Sequence, residues 1–152
     1  MNFSKICTVA LILTQISVAR AAEKAPPEMT LELAQKIAAK AAACGKKNNW
    51  KFSIAVVNAE GNLVYFQRTD GSYLGSVNAA IDKAKSANAF QRTTKEFADG
   101  VKGGRLGLVT IKDIVAIEGG VPVKIGETFV GGLGLSGAHS PEDHQCASSA
   151  IE

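Results

Sequence analysis

The sequence has no long hydrophobic run and few aromatic residues. No uninterrupted apolar stretch reaches the roughly 18 residues of a membrane-spanning helix, so we expect no such helix. Aromatic residues make up only 6% of the chain, so a core must be built from Ala, Val, Ile and Leu. A hydrophobic content of 46% and a charged content of 20% exclude a disordered chain, and 152 residues correspond to one ordinary domain.

The N-terminus carries the three-part pattern of a signal peptide. Lys5 supplies a basic start, residues 6–18 are mostly apolar, and the sequence Ala-Arg-Ala follows. The pattern predicts a signal peptide over residues 1–21, a proline-containing linker over residues 22–29, and a domain over residues 30–152. A mitochondrial presequence fits less well, because the segment holds few Arg residues. We therefore expect a periplasmic or secreted protein.

Little net charge remains once the signal peptide is removed. Loss of Lys5 and Arg20 from the 17 basic residues leaves 15 against 14 acidic residues, a formal net charge of +1. A nucleic-acid-binding surface needs clustered Lys and Arg, so the composition argues against a nucleic-acid partner.

Cysteine is scarce. The chain has three, and Cys7 lies in the predicted signal peptide. Cys44 and Cys146 remain, and an even pair in an oxidising compartment is a disulfide candidate. Each also lies on the apolar stripe of a predicted helix, where a free cysteine behaves as a small hydrophobic residue. Both readings stay open, because the sequence does not supply the distance between the two Cα atoms.

The common catalytic and metal-binding motifs are missing. The chain contains no HExxH, CxxC or CxxCH sequence. The pattern Gly132-x-Gly134-x-x-Gly137 matches a dinucleotide-binding fingerprint, but no later strand carries the acid that would read the ribose. We interpret it as a glycine-rich turn. Ser136 has no suitably placed base, which argues against a serine hydrolase.

His139 and His144 are the two histidines of the chain. Five residues correspond to about 140° of rotation on a helix, so two helical histidines at this spacing would not face one metal ion. In one interpretation both are partly exposed residues at a helix start. In the other, one of them is an axial or metal ligand.

Helix and strand patterns alternate along the domain. Helical patterns cover residues 31–46, 77–88, a short stretch to about 101, and the segment from Ser140. Strand patterns cover residues 52–57, 63–67, 114–117, 121–125 and 128–135. Because hairpins dominate, we predict an α+β fold, within the broad α/β class. It has one mainly antiparallel five-stranded sheet with helices packed on it.

Five sequence blocks, in this order, resemble one known family. The blocks are residues 56–64 (VVNAEGNLV), 68–71 (RTDG), 80–93 (AIDKAKSA and FQRT), 119–122 (GGVP) and 130–137 (VGGLGLSG). They are similar to segments of the GlcG/HbpS-like family, also known as the haem-degrading domain family. The resemblance covers roughly residues 29–151, and Asp143 falls where the family's last helix carries an acid.

The resemblance implies a profilin-like sandwich and a homo-oligomer. It also implies haem binding in some members and haem breakdown in a few. Asn58 departs from the family pattern, which has Asp there, and no residue matches an unambiguous haem ligand.

The polar residues of the matching blocks are Asp70, Lys83 and Arg92. Lys83 and Arg92 would pair with haem propionates or with another small carboxylate. Alternatively, Asp70 pairs with Lys83 or Arg92 and holds a loop to a helix. The candidate axial ligands are His139, His144, Tyr65, Tyr73 and Thr110.

Three functions follow as hypotheses. The favoured one is an exported haem-binding protein that acts as a carrier, buffer or sensor accessory. The alternatives are an accessory enzyme acting on a small organic acid or a tetrapyrrole, and an oligomeric interaction module without a cofactor.

Overall fold

A computed structural model of the protein describes residues 25–152. The predicted signal peptide and the first residues of the predicted linker lie outside the described residues. Met29, which the sequence places in the linker, is 7% exposed and belongs to the core. Thr30 then caps the first helix, because its side chain accepts a hydrogen bond from the Leu33 N–H at 3.1 Å.

Four helices, four strands and one short 3-10 helix make up the described chain. In order, they are α1 (Leu31–Asn48), β1 (Ser53–Asn58), β2 (Leu63–Arg68), α2 (Ser76–Phe90), α3 (Thr94–Lys102), the 3-10 helix (Leu106–Thr110), β3 (Gly120–Ile125), β4 (Thr128–Ser136) and α4 (Ser140–Ile151). Within residues 25–152, no helix is long and apolar enough to cross a membrane.

The strands form one antiparallel sheet in the order β2-β1-β4-β3. The α+β class and the antiparallel pairing are as predicted. In the central pair, β1 and β4 run from Ser53 opposite Ser136 to Asn58 opposite Gly131. The start of β1 and the end of β4 therefore lie side by side at one end of the sheet.

The predicted fifth strand at residues 114–117 is wrong: within residues 25–152 the sheet has four strands. This segment is irregular. The backbone N–H of Val115 donates to the Oγ of Ser86 on α2 at 3.0 Å, so here the segment bonds to a helix side chain. The β-branched residues Ile114, Val115 and Ile117 fit a half-buried irregular segment as well as a strand. The sequence pattern therefore does not distinguish the two.

The sheet is covered on both faces. On one face, Ile54 and Val56 of β1 belong to a core that includes α1 and α4. On the other face, Ala55 and Val57 pack against Ala80 and Ala84 of α2. This alternation explains why β1 reads as a continuous apolar run.

Gly132 and Gly134 lie within β4, as the strand pattern over residues 128–135 predicted, and not in the glycine-rich turn inferred from the fingerprint spacing. A Cβ atom on Gly132 would overlap the carbonyl oxygen of Ala84, and one on Gly134 would overlap that of Ala80. The glycines therefore let α2 approach the sheet closely, which gives the apparent dinucleotide-binding pattern a packing role.

A disulfide joins Cys44 on α1 to Cys146 on α4. The two Cα atoms are 5.6 Å apart, within the usual range for a disulfide. The bond spans 102 residues and fixes the first helix against the last.

Candidate functional site

A cleft lies where α1 ends and α4 begins. Its volume is about 570 Å³. We call it the α1–α4 cleft, and it is lined by Asn49, Trp50, Lys51, Gly71, Tyr73, Gly137, Ala138, His139 and Glu142. Three parts of the chain meet there: the end of α1, the turn after β2, and the connection from β4 to α4.

One wall is formed by the end of α1. Asn49 adopts a left-handed conformation with φ 58°, and its N–H bonds to the carbonyl groups of Gly45 and Lys46. This ends the helix and directs Trp50 and Lys51 across the cleft toward β1.

The floor is formed by two glycines that lie against Lys51. Gly71 has φ +82°, and a Cβ atom there would lie 2.7 Å from the Nζ of Lys51. Gly137 has φ +145°, and a Cβ atom there would overlap the Lys51 carbonyl oxygen. Both positions favour glycine for their conformation and for the space they leave.

The opposite wall is the start of α4, where His139 is the N-cap residue. The N–H of His139 donates to the Oε2 of Glu142 at 3.0 Å, which fixes the backbone at the helix start. The His139 side chain is exposed at the mouth of the cleft. Tyr73 lines the same cleft and is 57% exposed.

The cleft carries one cation without an acidic partner. Glu142 is the acid of the lining, and its carboxylate accepts the His139 bond. Among the residues that the structure describes, Lys51 forms no salt bridge. A ligand carboxylate is therefore a suitable partner for its ammonium group.

Lys83 lies inside the protein, in place of the ligand-facing position that the sequence suggested. Its Nζ donates to the Oδ2 of Asp143 at 2.8 Å and to the carbonyl oxygen of Leu135 at 3.0 Å. The side chains of Lys83 and Asp143 are 3% and 2% exposed. The partner of Lys83 is thus Asp143, and the alternative pairing with Asp70 does not occur.

Asp143 also links this ion pair to the cleft wall. Its Oδ1 accepts a hydrogen bond from the Ala138 N–H at 3.1 Å. Burial raises the pKa of the Asp143 carboxyl above its ordinary value, while Lys83 and the Ala138 N–H act in the opposite direction.

Three other predicted site residues lie on the surface, and the structure does not bring them together. Asp70 is exposed in the turn beside Gly71, and Arg92 is exposed just after α2. Thr110 is exposed in the 3-10 helix, where its Oγ1 donates to the Gly107 carbonyl at 2.8 Å. None of the three lines the α1–α4 cleft.

The two histidines occupy different surroundings. His144 is half-buried on α4, and its Nε2 lies 3.4 Å from the Oγ of Ser148. Its buried Nδ1 has no hydrogen-bond partner among the described residues. Burial lowers the pKa of His144, opposed mainly by the charge of Glu118. Of the two histidines, His139 lines the cleft and His144 does not.

A shared metal site at the histidines is not supported. Within residues 25–152, no group of three His, Cys, Asp or Glu side chains is arranged to hold a metal ion. Tyr65, another candidate ligand, donates from its hydroxyl to the Oε1 of Gln67 at 3.3 Å on β2 and does not line the cleft.

Trp50, Lys51 and Glu142 line the cleft but were not predicted from the sequence as site residues. The helix stop before Trp50 depends on a left-handed asparagine, which no motif marks. The sequence signal that could have located the cleft is the pair of glycine-containing blocks that end at Gly71 and Gly137, since both glycines line it.

Comparison with known proteins agrees with the fold. The family model described as "Haem degrading protein HbpS-like" matches residues 29–152. Protein GlcG of Escherichia coli K12 is 34% identical over 108 residues, which cover 68% of this chain and 81% of GlcG. An uncharacterized 15.0 kDa protein of Citrobacter freundii is 30% identical over 128 residues, which cover 82% of this chain and 90% of that protein.

Solved structures show the same architecture. Klebsiella pneumoniae protein ORFY is similar with a TM-score of 0.75 and 28% identity, covering 86% of this chain and 93% of that one. A double mutant of Streptomyces reticuli HbpS also has a TM-score of 0.75 and 28% identity, covering 99% and 97%. A PduOC:heme complex has a TM-score of 0.74 and 24% identity, covering 82% and 94%, and bears on the fold alone. With the family model matching most of the chain, the protein belongs to the HbpS-like family of haem degrading proteins.

Proposed function

We propose that the protein binds haem and that the α1–α4 cleft is the binding site. The observation that carries the proposal is the set of groups around one cavity. An exposed imidazole, an ammonium group without a salt bridge among residues 25–152, and two aromatic rings surround about 570 Å³. That volume lies within the roughly 300 to 1,000 Å³ usual for ligand sites.

The lining residues suit the chemistry of a haem. The imidazole of His139 would bind the haem iron, as neutral histidine commonly does. The ammonium group of Lys51 would pair with a propionate carboxylate. The rings of Trp50 and Tyr73 would pack against the flat face of the macrocycle.

The comparisons support the proposal at the level of the family. The matching family is described as haem degrading, and a protein of the same fold has been crystallised with heme. A carrier, buffer or sensor-accessory role is consistent with a binding site whose His139 and Tyr73 side chains are exposed.

Titration with hemin tests the binding proposal. The wild-type protein should give a Soret band distinct from that of free hemin, with saturation at one hemin per site. His139→Ala should abolish or shift that band, whereas His144→Ala should preserve it, because His144 lies away from the cleft. A spectrum identical to that of free hemin would disprove haem binding, and equal loss in both variants would disprove the assignment of His139.

The contribution of Lys51 is tested with a matched lysine. Lys51→Ala should weaken hemin binding about tenfold, corresponding to one charge-assisted hydrogen bond. Lys47→Ala removes a neighbouring exposed lysine that does not line the cleft, and should leave the affinity unchanged. Equal affinities for both variants would remove Lys51 from the site.

We also propose that the protein is exported. The predicted signal peptide and the Cys44–Cys146 disulfide support this, because disulfides persist mainly in oxidising compartments. N-terminal sequencing of the protein recovered from the periplasm or medium should begin at Ala22. Recovery of the intact chain from the cytosol would contradict export.

Self-association is a third proposal, supported by exposed apolar residues. Leu106 and Val109 lie three residues apart in the 3-10 helix and are 65% and 61% exposed, so they share one face. Ile117, nearby in the chain, is 55% exposed. Burial of this face against a second copy predicts an oligomer by light scattering, which Leu106→Glu should dissociate. A wild-type monomer would contradict it.

A further inference from the structure

The disulfide joins the two helices whose ends form the α1–α4 cleft. Cys44 lies near the end of α1, and Asn49 follows directly after that helix. Cys146 lies seven residues after His139 on α4, which corresponds to about 10 Å along the helix. Both walls of the cleft therefore extend from the cross-linked part of the structure.

We propose that this disulfide is a redox-sensitive clamp on the cleft. In the oxidised protein it holds the two walls at the spacing that binds the ligand, and reduction by a dithiol weakens binding. This inference rests on the proposed haem-binding function.

The remaining contacts between the two helices involve small side chains. The core residues that α1 and α4 contribute are mainly alanines, which bury little apolar area: Ala34, Ala38, Ala41, Ala147 and Ala150. The side chain of Asn48 donates to the Cys44 carbonyl at 2.9 Å and lies 3.8 Å from the Cys44 Sγ, which ties the end of α1 to the disulfide. The covalent bond is therefore the strongest direct link between α1 and α4, while the Lys83–Asp143 pair separately holds the start of α4 to α2.

The floor of the cleft has a separate restraint. Lys51 lies two residues before Ser53 of β1, and Gly137 directly follows Ser136 of β4, the residue paired with Ser53. The hydrogen bonds of the sheet hold this part whatever the state of the cysteines. Reduction is thus expected to loosen the walls without unfolding the sheet.

The exchange chemistry is accessible from one side. Cys44 is half-buried, whereas Cys146 is fully buried. A dithiol attacks the Sγ of Cys44 as a thiolate, forms a mixed disulfide, and releases Cys146 as a thiolate that takes up a proton. The second thiol of the reagent then displaces Cys44. The protein gains two electrons and two protons, and the dithiol becomes a cyclic disulfide.

The test compares ligand affinity in the oxidised and reduced states. Zinc protoporphyrin IX is the probe, because it avoids iron reduction by the dithiol. The reduced wild-type protein and the Cys44→Ala/Cys146→Ala variant should bind about tenfold more weakly than the oxidised protein, a coupling of usual size. By reciprocity, saturating porphyrin should raise the ratio of reduced to oxidised dithiol needed for half-reduction by the same factor.

Ile37→Val serves as the control. Ile37 is buried in α1 away from the cleft, so this variant lowers stability without removing the clamp. Its affinity should equal that of the wild type. Far-UV circular dichroism of the reduced wild-type protein shows whether the fold persists.

The outcomes separate the two proposals. No binding by the oxidised protein would defeat the proposed function, and the clamp with it. Equal binding in both redox states would overturn the clamp alone. Loss of secondary structure on reduction would also overturn it, because the disulfide would then hold the whole fold and not the cleft.

Discussion

The Nζ of Lys83 lies 2.8 Å from the Oδ2 of Asp143, and this ion pair is almost completely buried. It joins α2 to α4 across 60 residues of sequence. Because Asp143 also accepts a hydrogen bond from the Ala138 N–H, the pair fixes the connection that leads into the α1–α4 cleft. Lys83 is thus connected to the cleft wall through Asp143 and does not itself line the cleft.

Removing Lys83 should strongly destabilise the protein. Lys83→Met leaves the Asp143 carboxylate buried without a counter-charge, which costs about 3 to 5 kcal/mol for pairs of this kind. The free energy of unfolding in urea is the measurement. Lys95→Met breaks the exposed Lys95–Asp99 pair and should have little effect.

A double variant tests whether the unpaired buried charge causes the loss of stability in Lys83→Met. In Lys83→Met/Asp143→Asn the buried charge is gone, while the amide oxygen can still accept the Ala138 bond. Most of the lost stability should return. If the double variant were as unstable as Lys83→Met alone, the cost would come from lost packing and not from an unpaired charge.

Gly137→Ala should destabilise the protein and distort the cleft floor. The added Cβ would overlap the Lys51 carbonyl oxygen at a φ of +145° that only glycine adopts readily. We expect a loss of about 1 to 3 kcal/mol and weaker hemin binding. Gly107→Ala is the control, since no atom lies within 4 Å of its Cβ position. Wild-type stability in Gly137→Ala would contradict the prediction, because the backbone at Lys51 would then move to accommodate the added methyl group at little cost.

His144 should make stability depend on pH. Burial lowers its pKa in the folded protein below the ordinary 6.5, so the unfolded chain takes up a proton at a higher pH than the folded one. Its contribution to stability is therefore complete above pH 6.5 and is lost as the pH falls through the window down to the lowered pKa.

The urea midpoint measured between about pH 5 and pH 7.5 tests this contribution. It should rise with pH in the wild type and rise less steeply in His144→Gln. An identical slope in both proteins would mean that another group is responsible for the pH dependence.

Much of the fold was predictable because it depends on local patterns. The helical pattern over residues 31–46 and the strand patterns over residues 52–57 and 63–67 gave elements close to α1, β1 and β2. Residues 114–117 were misassigned because the partner of Val115 is Ser86, a contact that no local pattern encodes.

The candidate site was less predictable because it combines distant segments. His139 was identified as a ligand candidate from its residue type alone. Lys51 was not, because its position depends on how α1 ends and on where Gly71 and Gly137 meet it. Lys83 was predicted to contact a ligand because the sequence does not show whether a lysine is buried or exposed. Its partner Asp143 is 60 residues away, so no local pattern reveals the ion pair.

The location of bound hemin tests the central proposal most directly. In amide NMR spectra of the labelled protein, ferric hemin should broaden the signals of Gly71, Gly137 and Glu142 around the cleft. Signals of Lys36 and Lys124, which line a separate crevice, should persist. Broadening centred on Lys36 and Lys124, or no selective broadening at saturating hemin, would contradict a haem site between α1 and α4.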